Sequence, residues 1–382
     1  MKGFNQMQFS DRISGAGESK TARFIPLINK LKQDGIDVIN LAIGEPEYES
    51  PAPVIDAVKK ALENGQTRYG PVAGLDLLKE RLAEGFQGYT KDNIIVSNGS
   101  KQILYSIFQV ILNPGDEVII PRPSWVSFSE QIRLAGGIPV FVDTHDNHLD
   151  IRNIEKAVSS RTRAVLINSP NNPTGAVYPF DTLEKMARIA VSDNLWVISD
   201  EAYDFFVYDD IPFTSPFAFP HLRERLVVTR SFSKHFSMTG FRVGYAAAPI
   251  PFIRAMTTLQ SHLTGNVCSF AQYGALSALD MDNRIIKDWR MALTKKRDLI
   301  FEELSPVFDC IKPEGAFYLF PDISRHLNPN ETSADFAARI LEKTGVAVVP
   351  GEDFGKPGHV RISFAVPHET LVRAIEKIKE VL

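Results

Sequence analysis

The 382-residue sequence contains little cysteine and little histidine, and this excludes several kinds of site. Its two cysteines, Cys268 and Cys310, are isolated, so they form neither a zinc pattern nor a disulfide framework. This usage is typical of a reducing compartment, and we expect a cytoplasmic protein. Its eight histidines include no H-x-x-x-H pair. The sequence therefore predicts no metal site.

Long apolar runs and an excess of basic charge are also missing. The longest apolar runs are far too short to cross a bilayer, and residues 1–17 contain no apolar segment of the kind found in secretory signals. The formal net charge of -4 gives no reason to expect nucleic acid or an anionic membrane as a partner. Neither G-x-x-x-x-G-K-[ST] nor a G-x-G-x-x-G after a strand occurs, which argues against a nucleotide loop.

What is present is an alternation of short apolar runs with amphipathic segments. This alternation predicts an α/β fold: a large domain with a mostly parallel seven-stranded sheet between helices, followed by a smaller α+β unit. The seven predicted strands are at 94–96, 118–120, 139–142, 164–167, 195–198, 227–228 and 245–247. We expect the large domain to span residues 41–285 and the small domain to combine residues 1–40 with 286–382.

Polar residues follow these runs directly, where a parallel sheet binds its ligands. Gly99, Ser100 and Lys101 come after the first run and open a predicted helix, whose N terminus can hold an anion. Asp200 comes after the fifth run, where a carboxylate can meet the protonated nitrogen of a pyridine ring. These positions predict one binding site at the carboxyl edge of the sheet.

The stretch from 231 to 245 carries the clearest chemical signal. Lys234 lies just past an apolar run, where its amine can form a Schiff base with a carbonyl compound, as pyridoxal phosphate chemistry requires. Ser231 and Ser233 offer hydroxyl donors, and Arg242 offers a planar, permanently charged guanidinium. Both kinds of group suit a phosphate.

This stretch, with S-F-S-K followed by G-F-R-V-G-Y, resembles the lysine motif of the aspartate aminotransferase family, the fold-type-I pyridoxal-phosphate enzymes. The family signature S-P-N-N-P-T-G occurs at 169–175, and G-E-P at 44–46 and R-I-S-F-A at 361–365 are further matches. The resemblance covers nearly the whole chain. It implies pyridoxal 5'-phosphate as cofactor, amino acids and 2-oxo acids as substrates, and a homodimer.

The resemblance also implies roles for the residues at the strand ends. Lys234 would carry the cofactor and then move the Cα proton as general base and acid. Asp200 would keep the ring nitrogen protonated, while Asn172 and Tyr203 would donate hydrogen bonds to the phenolic oxygen. Trp125 would stack on the ring.

Further positions are assigned by the same resemblance. Arg361 would bind the substrate α-carboxylate, with Gly44, Trp125 and Asn172 beside the substrate. Tyr69 would reach the phosphate of the neighbouring subunit, and the bond between Asn172 and Pro173 is expected to be cis. The cofactor contacts within one chain are assigned to Gly99, Ser100, Lys101, Trp125, Asn172, Asp200, Tyr203, Ser231, Ser233, Lys234 and Arg242.

The substrate side chain is predicted from Ser19, Thr21 and Lys101. In a bacterial branch of the aspartate aminotransferases, the matching positions bind the side-chain carboxylate of an acidic substrate, so the resemblance favours aspartate with 2-oxoglutarate. The alternative is that Ser19 and Thr21 cap or line a helix and that Lys101 is an exposed residue at a helix start. Other functions left open are an aromatic or broad-range aminotransferase, a β-lyase or cyclopropane-forming synthase, and a regulatory binding protein that retains the cofactor domain.

Overall fold

Short buried strands form the centre of the molecule. The computed structural model describes residues 10, 13, 25–282 and 284–381. The strands, in chain order, are β1 (Ile39–Asn40), β2 (Ile94–Ser97), β3 (Glu117–Arg122), β4 (Ile138–Asp143), β5 (Thr162–Asn168), β6 (Trp196–Asp200), β7 (Leu226–Ser231), β8 (Gly244–Ala247), β9 (Tyr318–Leu319), β10 (Val346–Ala347), β11 (Val349–Pro350) and β12 (Val360–Ser363).

The α-helices surround these strands. They are α1 (Ile25–Gln33), α2 (Ala52–Glu63), α3 (Asp76–Ala83), α4 (Gly99–Ile111), α5 (Ser127–Leu134), α6 (Ile151–Ala157), α7 (Phe180–Ser192), α8 (Phe232–His235), α9 (Ile250–Leu263), α10 (Ser269–Leu279), α11 (Arg284–Leu304), α12 (Ser333–Thr344) and α13 (His368–Lys379). Short 3₁₀ turns lie at Lys91–Asn93, Pro216–Ala218, Pro220–Arg225, Thr239–Phe241, Ser324–His326 and Gly351–Phe354.

The main sheet has seven strands in the order β2-β8-β7-β6-β5-β3-β4. Its neighbouring strands are parallel except at β8, which runs antiparallel to both β2 and β7. All seven predicted runs take part, so the predicted mostly parallel sheet is confirmed. Its register aligns Asn168 with Asp200 and Asp200 with Thr229, which brings these strand ends to one edge.

Both faces of this sheet are covered, which is why its inner strands are apolar along nearly their whole length. Successive side chains of a strand point to opposite faces. On β2, Ile94 and Val96 pack in the apolar layer that contains α3, α7 and α10. Ile95 packs in the opposite layer with α4, α5 and α9. The sheet is therefore the middle of three layers.

The C-terminal part forms a second apolar cluster between α11, α12, α13 and the short strands β9 to β12. The strand β9 is only two residues long, Tyr318–Leu319, because Ala316 just before it has a left-handed backbone conformation with φ 55°. The cluster also includes Tyr203, Phe206 and Tyr208, which follow β6, so the C-terminal part packs directly on the sheet. The domain boundaries given above stay a prediction.

The first described helix, α1, packs against this second part. Its Ile28 and Leu31 are buried with Leu341 and Ala347, as its amphipathic pattern predicts. Residues 11, 12 and 14–24, which precede this helix, lie outside the described residues. Within the described ranges, no helix has both the length and the apolar character needed to cross a membrane.

Candidate active site

A cavity of about 380 Å³ lies where the carboxyl ends of β5, β6 and β7 face β9 and β12. Most of the residues that the sequence singled out for the cofactor ring and the substrate line it. The lining consists of Ile28, Asn40, Ala42, Ile43, Gly44, Ser100, Trp125, Asn168, Asn172, Asp200, Ala202, Tyr203, Lys234, Tyr318 and Arg361.

Lys234 is held by α8, a four-residue helix that continues directly from β7. The side chain of Ser231 caps this helix, and its Oγ accepts a hydrogen bond from the Ser233 amide at 3.1 Å. The Lys234 amine donates to the carbonyl oxygen of Gly44. Burial lowers the pKa of Lys234 to about 8, and nearby positive charges act in the same direction. A larger fraction of the amine is therefore neutral and nucleophilic near neutral pH.

Asp200 ends β6 with a buried carboxyl group. Its Oδ1 accepts a hydrogen bond from Thr229 Oγ1 at 3.3 Å, and its backbone carbonyl accepts one from Asn168 Nδ2 at 3.0 Å. Burial raises the pKa of Asp200 to about 7. A positively charged ring nitrogen placed against it would reverse this shift and keep it ionised.

The loop at 169–175 brings Asn172 to the same cavity. The peptide bond between Asn172 and Pro173 is cis, which confirms that prediction. The Asn172 backbone amide donates a hydrogen bond to Asn168 Oδ1 at 2.8 Å. Asn168, the last residue of β5, therefore fixes the conformation of the loop. Gly175 closes the turn with a hydrogen bond from its amide to the Asn171 carbonyl at 2.8 Å.

Arg361 reaches the cavity from β12 and is only 4% exposed. Its Nη1 donates to Asn172 Oδ1 at 2.9 Å and its Nη2 donates to the carbonyl oxygen of Ala42 at 2.7 Å. Its buried Nε has no hydrogen-bond partner within the described part of the chain. Both acceptors are uncharged, so the guanidinium keeps its full positive charge at the cavity wall. A carboxylate is the natural ligand of such a group.

The start of α4 and Arg242 form a positively polarised corner. Gly99 has a φ of +76°, and a Cβ there would lie 2.6 Å from Arg242 Nη2. A Cβ at Gly244 would lie 2.5 Å from the amide nitrogen of Ser100. Only glycine at both positions allows this approach. The guanidinium and the N terminus of a 13-residue helix therefore lie side by side, which suits a phosphate.

Lys101 contacts Trp125, which lines the cavity. The Lys101 amine lies 5.0 Å from the centre of the Trp125 ring, within the range of a cation–π contact. Desolvation by the surrounding groups, with the charge of Arg242, lowers the pKa of Lys101. Trp125 packs edge-on against Phe128, which orients its ring.

Several predicted residues lie away from this cavity or outside the described residues. Gly99, Lys101 and Ser233 are not among the residues that line it. Ser231 lines a second cavity of about 210 Å³, and Arg242 lines a third of about 850 Å³. Tyr69 is fully exposed on the single chain. Ser19 and Thr21 lie outside the described residues. Their roles stay predictions.

Sequence reasoning missed three residues at the site. Tyr318 lines the cavity with its hydroxyl 2.7 Å from that of Tyr203. It ends the segment G-A-F-Y at 315–318, in which no local pattern marks the tyrosine as part of a site. Asn168 and Thr229 donate hydrogen bonds to Asp200 from the two neighbouring strands. The signal that could have found them is their position at the ends of apolar runs.

These features fit pyridoxal 5'-phosphate. Lys234 supplies a desolvated amine for its aldehyde, Asp200 a buried carboxyl group for its ring nitrogen, and the corner at Gly99 and Arg242 a cradle for its phosphate. Among the residues that the structure describes, no group of three or more His, Cys, Asp or Glu is placed to hold a metal ion. The arrangement suits an organic cofactor that reacts with amines.

Comparison with known proteins gives a consistent result. The family model described as aminotransferase class I and II matches residues 36–378. A probable aspartate/prephenate aminotransferase of Aquifex aeolicus (strain VF5) is 41% identical over 386 residues, covering 98% of each chain. An aspartate aminotransferase of Geobacillus stearothermophilus is 40% identical, covering 97% of this chain and 98% of that protein. The solved structure of Thermus thermophilus aspartate aminotransferase with maleate matches with a TM-score of 0.93 and 38% identity, covering 99% of this chain and 100% of that one.

Proposed function

The chain belongs to the class I and II aminotransferase family and is a pyridoxal 5'-phosphate-dependent aminotransferase, and from this premise we propose that it moves the amino group of aspartate to 2-oxoglutarate. One observation carries the assignment of the site. Lys234, Asp200 and Arg361 line a single cavity. They come from distant parts of the chain, since Asp200 and Arg361 are 161 positions apart. This cavity combines an amine, an acid and a carboxylate anchor.

The chain's own residues divide the work of the reaction. When bound, the cofactor supplies an aldehyde that captures amines and a ring that withdraws electrons. Arg361 holds the α-carboxylate of the amino acid through a guanidinium that has no charged partner among its hydrogen-bond acceptors. Lys234 Nζ takes the Cα proton as general base and later returns one as general acid, and its lowered pKa suits both steps near neutral pH.

The remaining residues hold the ring in place. Asp200 keeps the ring nitrogen protonated, while Asn172 and Tyr203 donate hydrogen bonds to the phenolic oxygen. Ser100 and Arg242, with the first turn of α4, bind the phosphate. The support for these roles is the shared cavity, the burial of Asp200 and the close approach of Arg242 to Gly99.

We also propose a homodimer, with the domains at 41–285 and at 1–40 with 286–382. Tyr69 is fully exposed on the single chain and lines a broad depression of about 740 Å³ with Asn266 and Phe270. A tyrosine in this position has no phosphate to contact unless a partner subunit supplies one. Measurement of the molecular mass in solution tests the dimer, and a monomer that binds the cofactor normally would contradict it.

The preference for aspartate depends on a second cation next to the cavity. Lys101 contacts the ring of Trp125, and Trp125 shares the cavity with Arg361. One cation inside the cavity and a second beside one of its lining residues suit a dicarboxylate. The relatives named above are aspartate or aspartate/prephenate aminotransferases, and the Thermus enzyme was solved with the dicarboxylate maleate.

An amino-donor screen against 2-oxoglutarate with added pyridoxal phosphate tests the reaction. Aspartate should give glutamate and oxaloacetate, and Lys234→Ala should abolish turnover and the visible absorbance of the bound cofactor. Release of pyruvate without any oxo-acid acceptor would instead identify a β-lyase. Turnover retained by the Lys234 variant would refute the assignment of that lysine.

The side-chain preference is tested by Lys101→Ala assayed with aspartate and with phenylalanine. Loss of a hydrogen bond to a charged group, worth about 1.5–3 kcal/mol, should lower kcat/KM for aspartate roughly 10- to 100-fold and leave phenylalanine nearly unchanged. Lys101→Arg is the matched control, because it keeps the charge. An equal loss for both substrates would mean that Lys101 serves the cofactor or the fold.

A further inference from the structure

Tyr318 makes contacts that none of the roles above explains. It is 1% exposed and lies on β9, which enters the site from the C-terminal part of the molecule. Its hydroxyl is 2.7 Å from the hydroxyl of Tyr203, and the two rings meet edge to face at 79°. A Cβ at Gly44 would overlap the Tyr318 hydroxyl, so the glycine leaves room for it.

The chemistry of two hydroxyls decides which of them donates. Each has one proton and can accept further hydrogen bonds. In the function proposed above, Tyr203 uses its proton toward the phenolic oxygen of the cofactor. The shared hydrogen bond must then run from the Tyr318 hydroxyl to the Tyr203 oxygen. A donor in this position polarises the Tyr203 O–H and makes it a stronger donor in turn.

Arg361 strengthens the same arrangement. Its guanidinium carbon lies 4.3 Å from the centre of the Tyr318 ring. A cation over the ring favours a more acidic hydroxyl and therefore a better donor, and the charge of Arg361 does act to lower the pKa of Tyr318 against the opposing effect of burial. The substrate anchor, Tyr318 and Tyr203 thus form a continuous chain of contacts.

We propose that Tyr318 is a positioning residue that donates a hydrogen bond to Tyr203 and so fixes and strengthens the hydrogen bond from Tyr203 to the cofactor's phenolic oxygen. The inference rests on the proposed role of Tyr203. Without Tyr318, the Tyr203 hydroxyl loses its buried donor and can rotate. The phenolic oxygen is then less well stabilised as an anion, and a proton is held more tightly on the cofactor-bound amine.

The test is a spectrophotometric pH titration of the holoenzyme. In Tyr318→Phe, the midpoint of the visible absorbance change of the bound cofactor should move upward by about 0.5–1 pH unit, with a smaller change in the KM for the amino acid than in kcat. Tyr203→Phe should move it further. The double variant should move no further than Tyr203→Phe alone, because Tyr318 acts through Tyr203.

Tyr208→Phe is the matched control for losing one buried hydroxyl. The Tyr208 hydroxyl bonds to the carbonyl oxygen of Ala316, and Tyr208 does not line the cavity. It should leave the midpoint unchanged. An unchanged midpoint in Tyr318→Phe, or additive shifts in the double variant, would overturn the inference. Failure of the wild-type protein to give a visible absorbance with pyridoxal phosphate would instead contradict the proposed function itself.

Discussion

Two buried arginines in this molecule differ in what surrounds them. Arg297 on α11 is fully buried and binds Asp209 with both terminal nitrogens at 2.7 and 2.8 Å. Asp298 accepts from Arg297 Nε and Nη2 at 2.9 and 2.7 Å. Arg361 on β12 is almost as deeply buried, yet its hydrogen bonds go to an amide oxygen and a backbone carbonyl.

The difference teaches that burial alone does not mark a functional charge. A buried cation with carboxylate partners is compensated, and removing it leaves those partners unpaired. A buried cation with only neutral partners carries a desolvation penalty that the fold itself does not relieve. Such a penalty is relieved when an anionic ligand binds. Arg297 therefore serves the fold, whereas the uncompensated charge of Arg361 supports its proposed role as the anchor of the substrate carboxylate.

The largest expected effect is the loss of activity in Arg361→Ala. Two charge-assisted hydrogen bonds to a carboxylate contribute about 3–6 kcal/mol, so kcat/KM should fall roughly 10²- to 10⁴-fold for every amino acid. Stability should be unchanged or improved, because a buried charge is removed. Arg361→Met controls for packing. A single amino acid spared by the change would show that Arg361 is not the common anchor.

Arg297→Ala should show the opposite pattern. Asp209 loses the cation that binds both of its oxygens, while Asp298 keeps Lys312 at 2.9 Å. The ring of Tyr208, 4.7 Å from the Arg297 guanidinium carbon, also loses a cation–π contact. The free energy of unfolding should fall by about 3 kcal/mol, measured by denaturant titration, while kcat/KM of the folded enzyme stays within about twofold. Arg297→Lys should recover part of the loss. A stable but inactive Arg297 variant would break the comparison.

Asp200 extends the comparison to a buried acid. Its pKa is raised from 3.8 to about 7 by burial, so the folded cofactor-free protein holds a proton that the unfolded chain loses between about pH 4 and pH 7. Stability is therefore full below about pH 4 and declines as the pH rises toward 7. Asp200→Asn should remove this decline, making the apoprotein up to about 4 kcal/mol more stable than wild type above pH 7.

The difference should vanish near pH 4, and thermal melts of the apoprotein across this range measure it. Equal pH profiles for the two proteins would mean that Asp200 is already ionised in the fold. In the holoenzyme the same substitution should instead lower turnover, since the ring nitrogen loses its carboxylate partner.

The smallest effect is expected at an exposed pair. Arg188 bonds Glu184 one helical turn away on α7 at 2.9 Å, and its side chain is 70% exposed. Arg188→Ala should change the free energy of unfolding by less than about 0.5 kcal/mol and leave activity unchanged. If Arg188→Ala lowered the free energy of unfolding as much as Arg297→Ala, then pairing with a carboxylate would determine the size of the effect even without burial.

The sequence was sufficient for the main sheet and for most of the cavity, because both depend on local pattern. The apolar runs are buried strands, and the polar residues that follow them, such as Asn172, Asp200 and Lys234, line one cavity. The role of Arg361 was predicted from the resemblance to the family. Periodicity alone would have predicted a surface residue on a strand.

What could not be predicted depends on how distant segments dock. The contact between Tyr318 and Tyr203 joins residues 115 positions apart through one hydrogen bond, and no local pattern encodes it. The strand β9 around Tyr318 has only two residues because Ala316 leaves the extended conformation. Ser231 was predicted only as a phosphate ligand. In the structure its side chain caps α8, and a serine before a helix can have either role.

The hydrogen bond from Arg361 to the Ala42 carbonyl spans 319 positions of the chain. The parallel pairing of Ile39 with Val346 closes a loop of similar size beside it. Loops this long carry an entropic penalty that is repaid only after the intervening sheet has formed. We therefore expect the carboxylate anchor to form late in folding, so that a partly folded chain already holds its lysine before it can recognise an amino acid.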